Sequence, residues 1–305
     1  MKNGTIWADD AGKPIQAHGG MILEHDGVFY WYGEDKGAPN ANKDGALLAR
    51  VDVIGVSCYS SRNLRDWHHE GVVLPATPDD PKGVLHPSRV VERPKVIYHE
   101  KTGRFVLWFH ADNATYTDAS VGVAVADSPT GPFTISRSMR PNGIDSRDMT
   151  VFKDIDGVAY LFHSSDWNRT MMISRLTTDY TNVDGFHAPS LIAQSREAPA
   201  IMLRDGTYYS VTSGCTGWKP NVALYATSHA VIGHWRLIDN PCTGPNARKT
   251  FFGQSTYIFT VGDRPYLMLD HWKPHDLQNS GYSFLPITFT DDGMEIAWHD
   301  EFNGV

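Results

Sequence analysis

The chain has 305 residues and a formal net charge of −8 with no Lys/Arg cluster, so it lacks the basic face that nucleic acid or an anionic membrane demands. No apolar run nears the roughly 18 residues of a membrane span, and Met1-Lys2-Asn3-Gly4-Thr5 is not a signal peptide. A neutral ligand is expected, in a chain that is cytoplasmic as written, or periplasmic or secreted if a leader has been removed.

Five times along the chain a polar residue opens a short apolar strand that runs into a tight turn. The first unit is His18-Gly19-Gly20-Met21-Ile22-Leu23 before Asp26-Gly27, followed by the aromatic strand Phe29-Tyr30-Trp31-Tyr32. Glu92-Arg93-Pro94-Lys95-Val96 opens the second before Thr102-Gly103, and Asp148-Met149-Thr150-Val151 the third before Asp156-Gly157. Glu197-Ala198-Pro199-Ala200 opens the fourth before Asp205-Gly206, and Gln254-Ser255-Thr256-Tyr257 the fifth before Gly262-Asp263. Each turn leads into a second strand, as in a hairpin, and further strands follow in most units.

The turn glycines fall at 27, 103, 157, 206 and 262, a spacing that suits repeated four-stranded units with loop insertions. The expected fold is therefore all-β: a five-bladed β-propeller with four antiparallel strands per blade, residues 1–305 forming a single catalytic domain. No Pro/Ser-rich linker or low-complexity stretch divides it. The innermost strands of a propeller run along the central channel, so their openers His18, Glu92, Asp148, Glu197 and Gln254 converge at one mouth. Trp31 and Trp108 lie mid-strand, where packing between blades is the expected role.

Ile15-Gln16-Ala17-His18-Gly19-Gly20, Trp31-Tyr32-Gly33-Glu34, Glu92-Arg93-Pro94-Lys95-Val96, Ser146-Arg147-Asp148-Met149-Thr150, Ser195-Arg196-Glu197-Ala198-Pro199, Ser213-Gly214-Cys215-Thr216-Gly217-Trp218 and Gly253-Gln254-Ser255-Thr256 form a motif set spanning nearly the whole chain. It resembles glycoside hydrolase family 43, and within that family the exo-β-1,3-galactanases. The resemblance implies an inverting, exo-acting hydrolase that releases galactose from β-1,3-galactan, the backbone of type II arabinogalactan. The partner would be that oligo- or polysaccharide, and no cofactor would be required. An α-L-arabinofuranosidase or β-xylosidase of the same family is the rival enzyme, and a carbohydrate-binding propeller with a degenerate site the rival of another class.

Inversion ordinarily needs two carboxyls, one protonating the leaving oxygen and one activating water. The resemblance makes Glu197 the general acid, and burial at the opening of an inner strand would raise its pKa toward working pH. It makes Asp148 the carboxylate that holds and tunes the acid. The family's customary basic aspartate is missing, because Gln16-Ala17-His18-Gly19-Gly20 contains no carboxylate. The resemblance instead puts Gln254 in the base position, through its carbonyl oxygen or an imidic-acid tautomer, with Glu92 shaping the water site. Plainer readings stay open: Glu197 paired with Arg196, Asp148 with Arg147, Glu92 with Arg93 or Lys95, and Gln254 gripping the sugar while Glu92 or Asp148 serves as base.

Sugar recognition combines an aromatic platform with a few polar groups on hydroxyls. Trp218 and Tyr116 lie in loops near the mouth by register, while Glu34 and Thr216 match positions that resemble substrate-contacting residues of the family. His18 would bond a hydroxyl or line the channel. Fourteen histidines show no His-Glu-x-x-His spacing, so no catalytic metal is expected. A structural calcium in the central channel, bordered by His271, stays open. Cys58, Cys215 and Cys242 read as buried thiols, with a Cys215–Cys242 bridge kept open for an extracytoplasmic setting.

Overall fold

The computed structural model describes residues 1–41 and 49–305. The first unit forms β1 (His18–His25), β2 (Val28–Glu34), β3 (Gly55–Ser61) and β4 (His68–Pro75), an antiparallel meander in which each strand pairs with the next. The pattern recurs in β5 (Val90–His99), β6 (Arg104–Asp112), β7 (Ser120–Ala126) and β8 (Thr134–Met139). It recurs again in β9 (Met149–Lys153), β10 (Ala159–Ser165), β11 (Thr170–Leu176) and β12 (Val183–Ser190), then in β13 (Arg196–Arg204), β14 (Thr207–Gly214), β15 (Leu224–Ser228) and β16 (Arg236–Leu237). At Asp26-Gly27 and Asp205-Gly206 both residues take positive φ, as a type I′ hairpin turn requires. The protein is an all-β propeller.

The count of sheets corrects the sequence reading, because the described residues form six sheets and not five. After the short β17 (Cys242–Thr243), the fifth unit builds only three strands, β18 (Gln254–Val261), β19 (Arg264–His271) and β20 (Gly281–Pro286). The free edge of β20 is occupied by the N-terminal segment: Gly4 N–H donates to Tyr282 O at 2.8 Å and Tyr282 N–H to Thr5 O at 3.0 Å. The chain beyond Pro286 therefore finds no edge there. It folds as β21 (Thr288–Thr290) and β22 (Gly293–Ala297), and β22 pairs in parallel with β17 to make the small sixth sheet.

Sheets of this kind are apolar on both faces, so each packs on two neighbours. Met21 and Tyr32 meet Val96 and Leu107 between the first and second sheets, and Trp108 meets Val151 and Leu161 between the second and third. Phe162 meets Ile201 and Trp235, Val211 meets Leu267 and Leu285, and Trp31 meets Phe284 to close the ring. Trp31 and Trp108 are fully buried in these layers, the packing role expected of them. The inner strands β1, β5, β9, β13 and β18 touch in a closed cycle.

Four of those inner strands carry a bulge just after their opener, at His18/Met21, Glu92/Lys95, Glu197/Ala200 and Ser255/Tyr257. In three of them the next residue is left-handed: Gly19 at φ 57°, Arg93 at 55° and Ala198 at 53°. A bulge re-aims the side chains beside it, and here it does so at the mouth of the channel. Gly20 lies in the first bulge, where a Cβ would overlap the backbone carbonyl oxygen of Tyr32. Gly20→Ala is expected to cost about 2 kcal/mol or more in chemical denaturation, because backbone cannot yield as a side chain can. Gly27→Ala, in open space at φ 71°, should cost about 1 kcal/mol.

Candidate active site

The openers of β5, β13 and β18 and Asp148, just ahead of β9, surround one cavity of about 180 Å³ at the mouth. Its wall also holds Glu34, Arg93, His110, Tyr116, Arg147, Trp167, Asn168, Trp218 and Trp272. Four carboxyls share this space, so their mutual repulsion must be offset by cations and donors. Arg93 supplies the central cation. Buried in the cavity wall, it pairs through Nη2 with Asp148 Oδ2 at 2.8 Å, donates to Gln254 Oε1 at 2.7 Å, and reaches Ser255 O through Nη1 at 3.2 Å. Its backbone N–H donates to Glu34 Oε1 at 2.9 Å, and Glu34 Oε2 pairs with Lys36 at 2.7 Å.

Gln254 has all four of its hydrogen-bond positions in use. Its Oε1 accepts from Arg93 and from Trp272 Nε1 at 2.9 Å, and its Nε2 donates to Glu197 Oε1 at 3.1 Å and Ser213 Oγ at 3.0 Å. The amide cannot be flipped, because arginine and indole N–H groups only donate. Glu197 accepts at its other oxygen from Asn168 Nδ2 at 3.2 Å. Burial, then the charge of Asp148, pushes the Glu197 carboxyl up to about 8 against the opposing pull of Arg93.

Glu92 is driven the other way. Although burial raises its pKa, hydrogen bonds from His110 and Tyr116 and the nearby positive charges bring it down to about 2. Tyr116 Oη donates to Glu92 Oε1 at 2.7 Å, and His110 bridges Glu92 Oε2 at 3.2 Å to Asp112 Oδ2 at 2.9 Å. Burial opposes the charge on His110, yet these two carboxylates raise it to about 9. Near neutral pH Glu197 is thus protonated and Glu92 ionised, the separation that acid and base roles need. Among the described residues Glu92, His110 and Asp148 are the one trio whose donor atoms converge as metal ligands would. Both ring nitrogens of His110 are engaged, Nδ1 by Glu92 and Nε2 by Asp112.

The sequence matches the family model described as glycosyl hydrolases family 43 over residues 21–294. The chain belongs to glycosyl hydrolase family 43. It is 36% identical to a family 43 β-1,3-galactosidase solved with galactodeoxynojirimycin, at a TM-score of 0.92 over 99% of this chain and 100% of that one. It is 35% identical to the Phanerochaete chrysosporium exo-β-1,3-galactanase solved with β-1,3-galactotriose, at 0.89 over 98% of this chain and 67% of that one. The Clostridium thermocellum exo-β-1,3-galactanase is 35% identical, at 0.85 over 98% of this chain and 65% of that one. No curated protein sequence matches. This family 43 member is a glycosidase.

Glu197, Gln254, Glu92, Asp148, Glu34, Tyr116 and Trp218 all line the cavity, as the sequence suggested. Thr216 does not: its hydroxyl donates to Lys219 O at 2.6 Å and accepts from Asn221, so it braces its own loop. His18 is likewise displaced from the wall. Fully buried, it bonds Asp270 Oδ1 at 3.1 Å and the Tyr282 hydroxyl at 3.0 Å, with its ring stacked on Tyr282. His271 is turned to Ser283 Oγ at 2.7 Å. The plainer pairings do not form, since Arg196 bonds Thr212 and Val222 carbonyls and Arg147 bonds Asp145. All three cysteines are free, and Cys215 is exposed rather than buried.

Sequence reasoning passed over Arg93, His110, Trp167, Asn168 and Trp272 as members of the site. His110-Ala111-Asp112 carried a signal, because two polar residues two apart on a strand following an opener share its face. Trp272 stands next to His271, which drew attention in its place.

Glu197 in the folded protein holds its proton to about pH 8, whereas an unfolded chain releases it near 4.5. Between those values the folded state binds more protons, so this group's contribution to stability falls as pH rises. Thermal melts of wild type and Glu197→Gln should diverge across that window, the variant gaining relative stability toward pH 8. A difference that stays constant with pH would show that Glu197 titrates normally.

Proposed function

We propose that the protein is an inverting, exo-acting glycoside hydrolase that releases galactose from β-1,3-galactan, residues 1–305 serving as one catalytic domain. The observation that carries this is the raised Glu197 carboxyl, protonated near neutral pH in the same cavity as an ionised Glu92. Glu197 gives its proton to the bridging oxygen as the glycosidic bond breaks, and Asp148 keeps it protonated by like charge. Water attacks C1 from the opposite face. The β-1,3-galactosidase and exo-β-1,3-galactanases similar to this chain support the choice of galactan, and a small cavity supports removal of one terminal unit. Glu34, Tyr116 and Trp218 bind the galactose, while the braced Thr216 and buried His18 are left out. No cofactor enters this reading.

Gln254 takes the base position in this proposal: its Oε1 accepts the proton that the attacking water gives up while its Nε2 passes one to the Glu197 carboxylate, leaving the imidic-acid tautomer. A second reading has a specific observation behind it: two donors already occupy Gln254 Oε1, so the amide would brace Glu197 while the ionised Glu92 activates water. Azide separates the two, because it attacks without needing a base. Whichever of Gln254→Ala and Glu92→Ala is rescued by azide to give the inverted galactosyl azide has lost the base.

Glu197→Gln is expected to lower kcat/KM on β-1,3-galactobiose about 10²- to 10⁴-fold. Turnover of β-galactosyl fluoride should fall far less, since fluoride leaves with little help from an acid. For the wild type, kcat/KM should decline as pH rises through about 8, where Glu197 loses its proton. Equal losses on both substrates would move the acid role elsewhere.

A further inference from the structure

The turn between β10 and β11 holds three successive left-handed residues, Asp166 at φ 51°, Trp167 at 54° and Asn168 at 62°. Such backbone costs about 1–3 kcal/mol per residue, and persists only where its surroundings impose it. One carboxylate imposes it here. Asp145 Oδ1 accepts from Ser165 Oγ at 2.7 Å and Asp166 N–H at 2.9 Å, while its Oδ2 accepts from Trp167 N–H at 3.2 Å and Arg147 Nη1 at 2.6 Å. Arg147 in turn lies over one face of the Trp167 ring, 4.3 Å from its centroid.

The result is an indole held rigidly at the cavity rim, backed by a cation, and still 64% exposed. A large apolar ring kept in water by strained backbone has no packing reason to be there. Its location supplies one. Asn168, the next residue, donates to Glu197 at 3.2 Å, so Trp167 stands beside the acid. The acid marks the side from which the leaving sugar departs, because its proton goes to the oxygen that sugar carries away. Asn168 Oδ1 is also buried without a partner, an acceptor waiting for a hydroxyl.

We propose that Trp167, stiffened by Arg147 and Asp145, is the platform for the leaving-group sugar and sets preference for a glycosyl over a small leaving group. This rests on the hydrolase reading above. The exposed ring face takes the apolar face of a pyranose, as aromatic residues do at sugar sites. Trp218, in the same cavity wall against Trp272, serves the non-reducing galactose that is released instead.

The test compares β-1,3-galactobiose, which fills the platform, with β-galactosyl fluoride and with galactose, which do not. Trp167→Ala should lower kcat/KM on galactobiose at least tenfold, chiefly through KM, and leave β-galactosyl fluoride within about twofold. Trp167→Phe should recover most of the loss. Parallel losses on both substrates, or no loss on either, overturn the platform. Calorimetry of Glu197→Gln with and without Trp167→Ala reads binding without turnover: galactobiose should bind more tightly than galactose only while Trp167 is present. If the wild type releases no galactose yet that increment appears and vanishes with Trp167→Ala, the platform stands and the hydrolase reading falls. If galactobiose binds no more tightly than galactose, or the increment survives the substitution, the platform is wrong.

Discussion

One buried guanidinium organises the mouth of this propeller. Arg93 touches Asp148 ahead of β9 and Gln254 and Ser255 on β18, while its own backbone belongs to β5. It therefore ties three inner strands together and supplies positive charge among Glu34, Glu92, Asp148 and Glu197. A planar fork with five donors can do this in several directions at once, which an ammonium on a flexible stem cannot. The charge also decides how far each carboxyl can move. Arg93 pulls the Glu197 pKa down while Asp148 pushes it up, so its protonation is set by the balance of the two on top of burial.

The means of placing these groups is the bulge that follows the openers of β1, β5 and β13. A regular strand sends alternate side chains to opposite faces, and both faces of these sheets are filled by the apolar layers between neighbours. In these three strands the opener reaches its place beside a departure from the pleat. The left-handed residue after His18, Glu92 and Glu197 is that departure. In β1 the same device serves structure, since His18 is locked between Asp270 and Tyr282 behind Trp272.

The fold class and most of the cavity were legible in the sequence because both repeat. Aromatic strands after tight glycine turns announced the hairpins, and similar register placed Glu92, Asp148, Glu197 and Gln254 around one axis. The sixth sheet was not legible, because it arises from competition for the edge of β20, which segments at opposite ends of the chain decide. The roles of Arg93 and His110 were hidden for a similar reason. Sequence neighbours suggested that Glu92 would pair with Arg93, yet the bulge turns the two apart and delivers each to partners from other strands. Thr216 and Trp218 lie two residues apart in one motif, and only the tryptophan faces the cavity.

Five separate apolar layers hold the ring, and none of them includes the rim turn around Trp167. That turn depends on local bonds to Asp145, so Trp167 can be exchanged without loosening the ring, while Asn168 beside it stays tied to Glu197. Such a division lets selection revise what the enzyme releases its sugar from while the chemistry of release stays fixed. Divergence among related chains would then be read first at the rim and last at the strand openings.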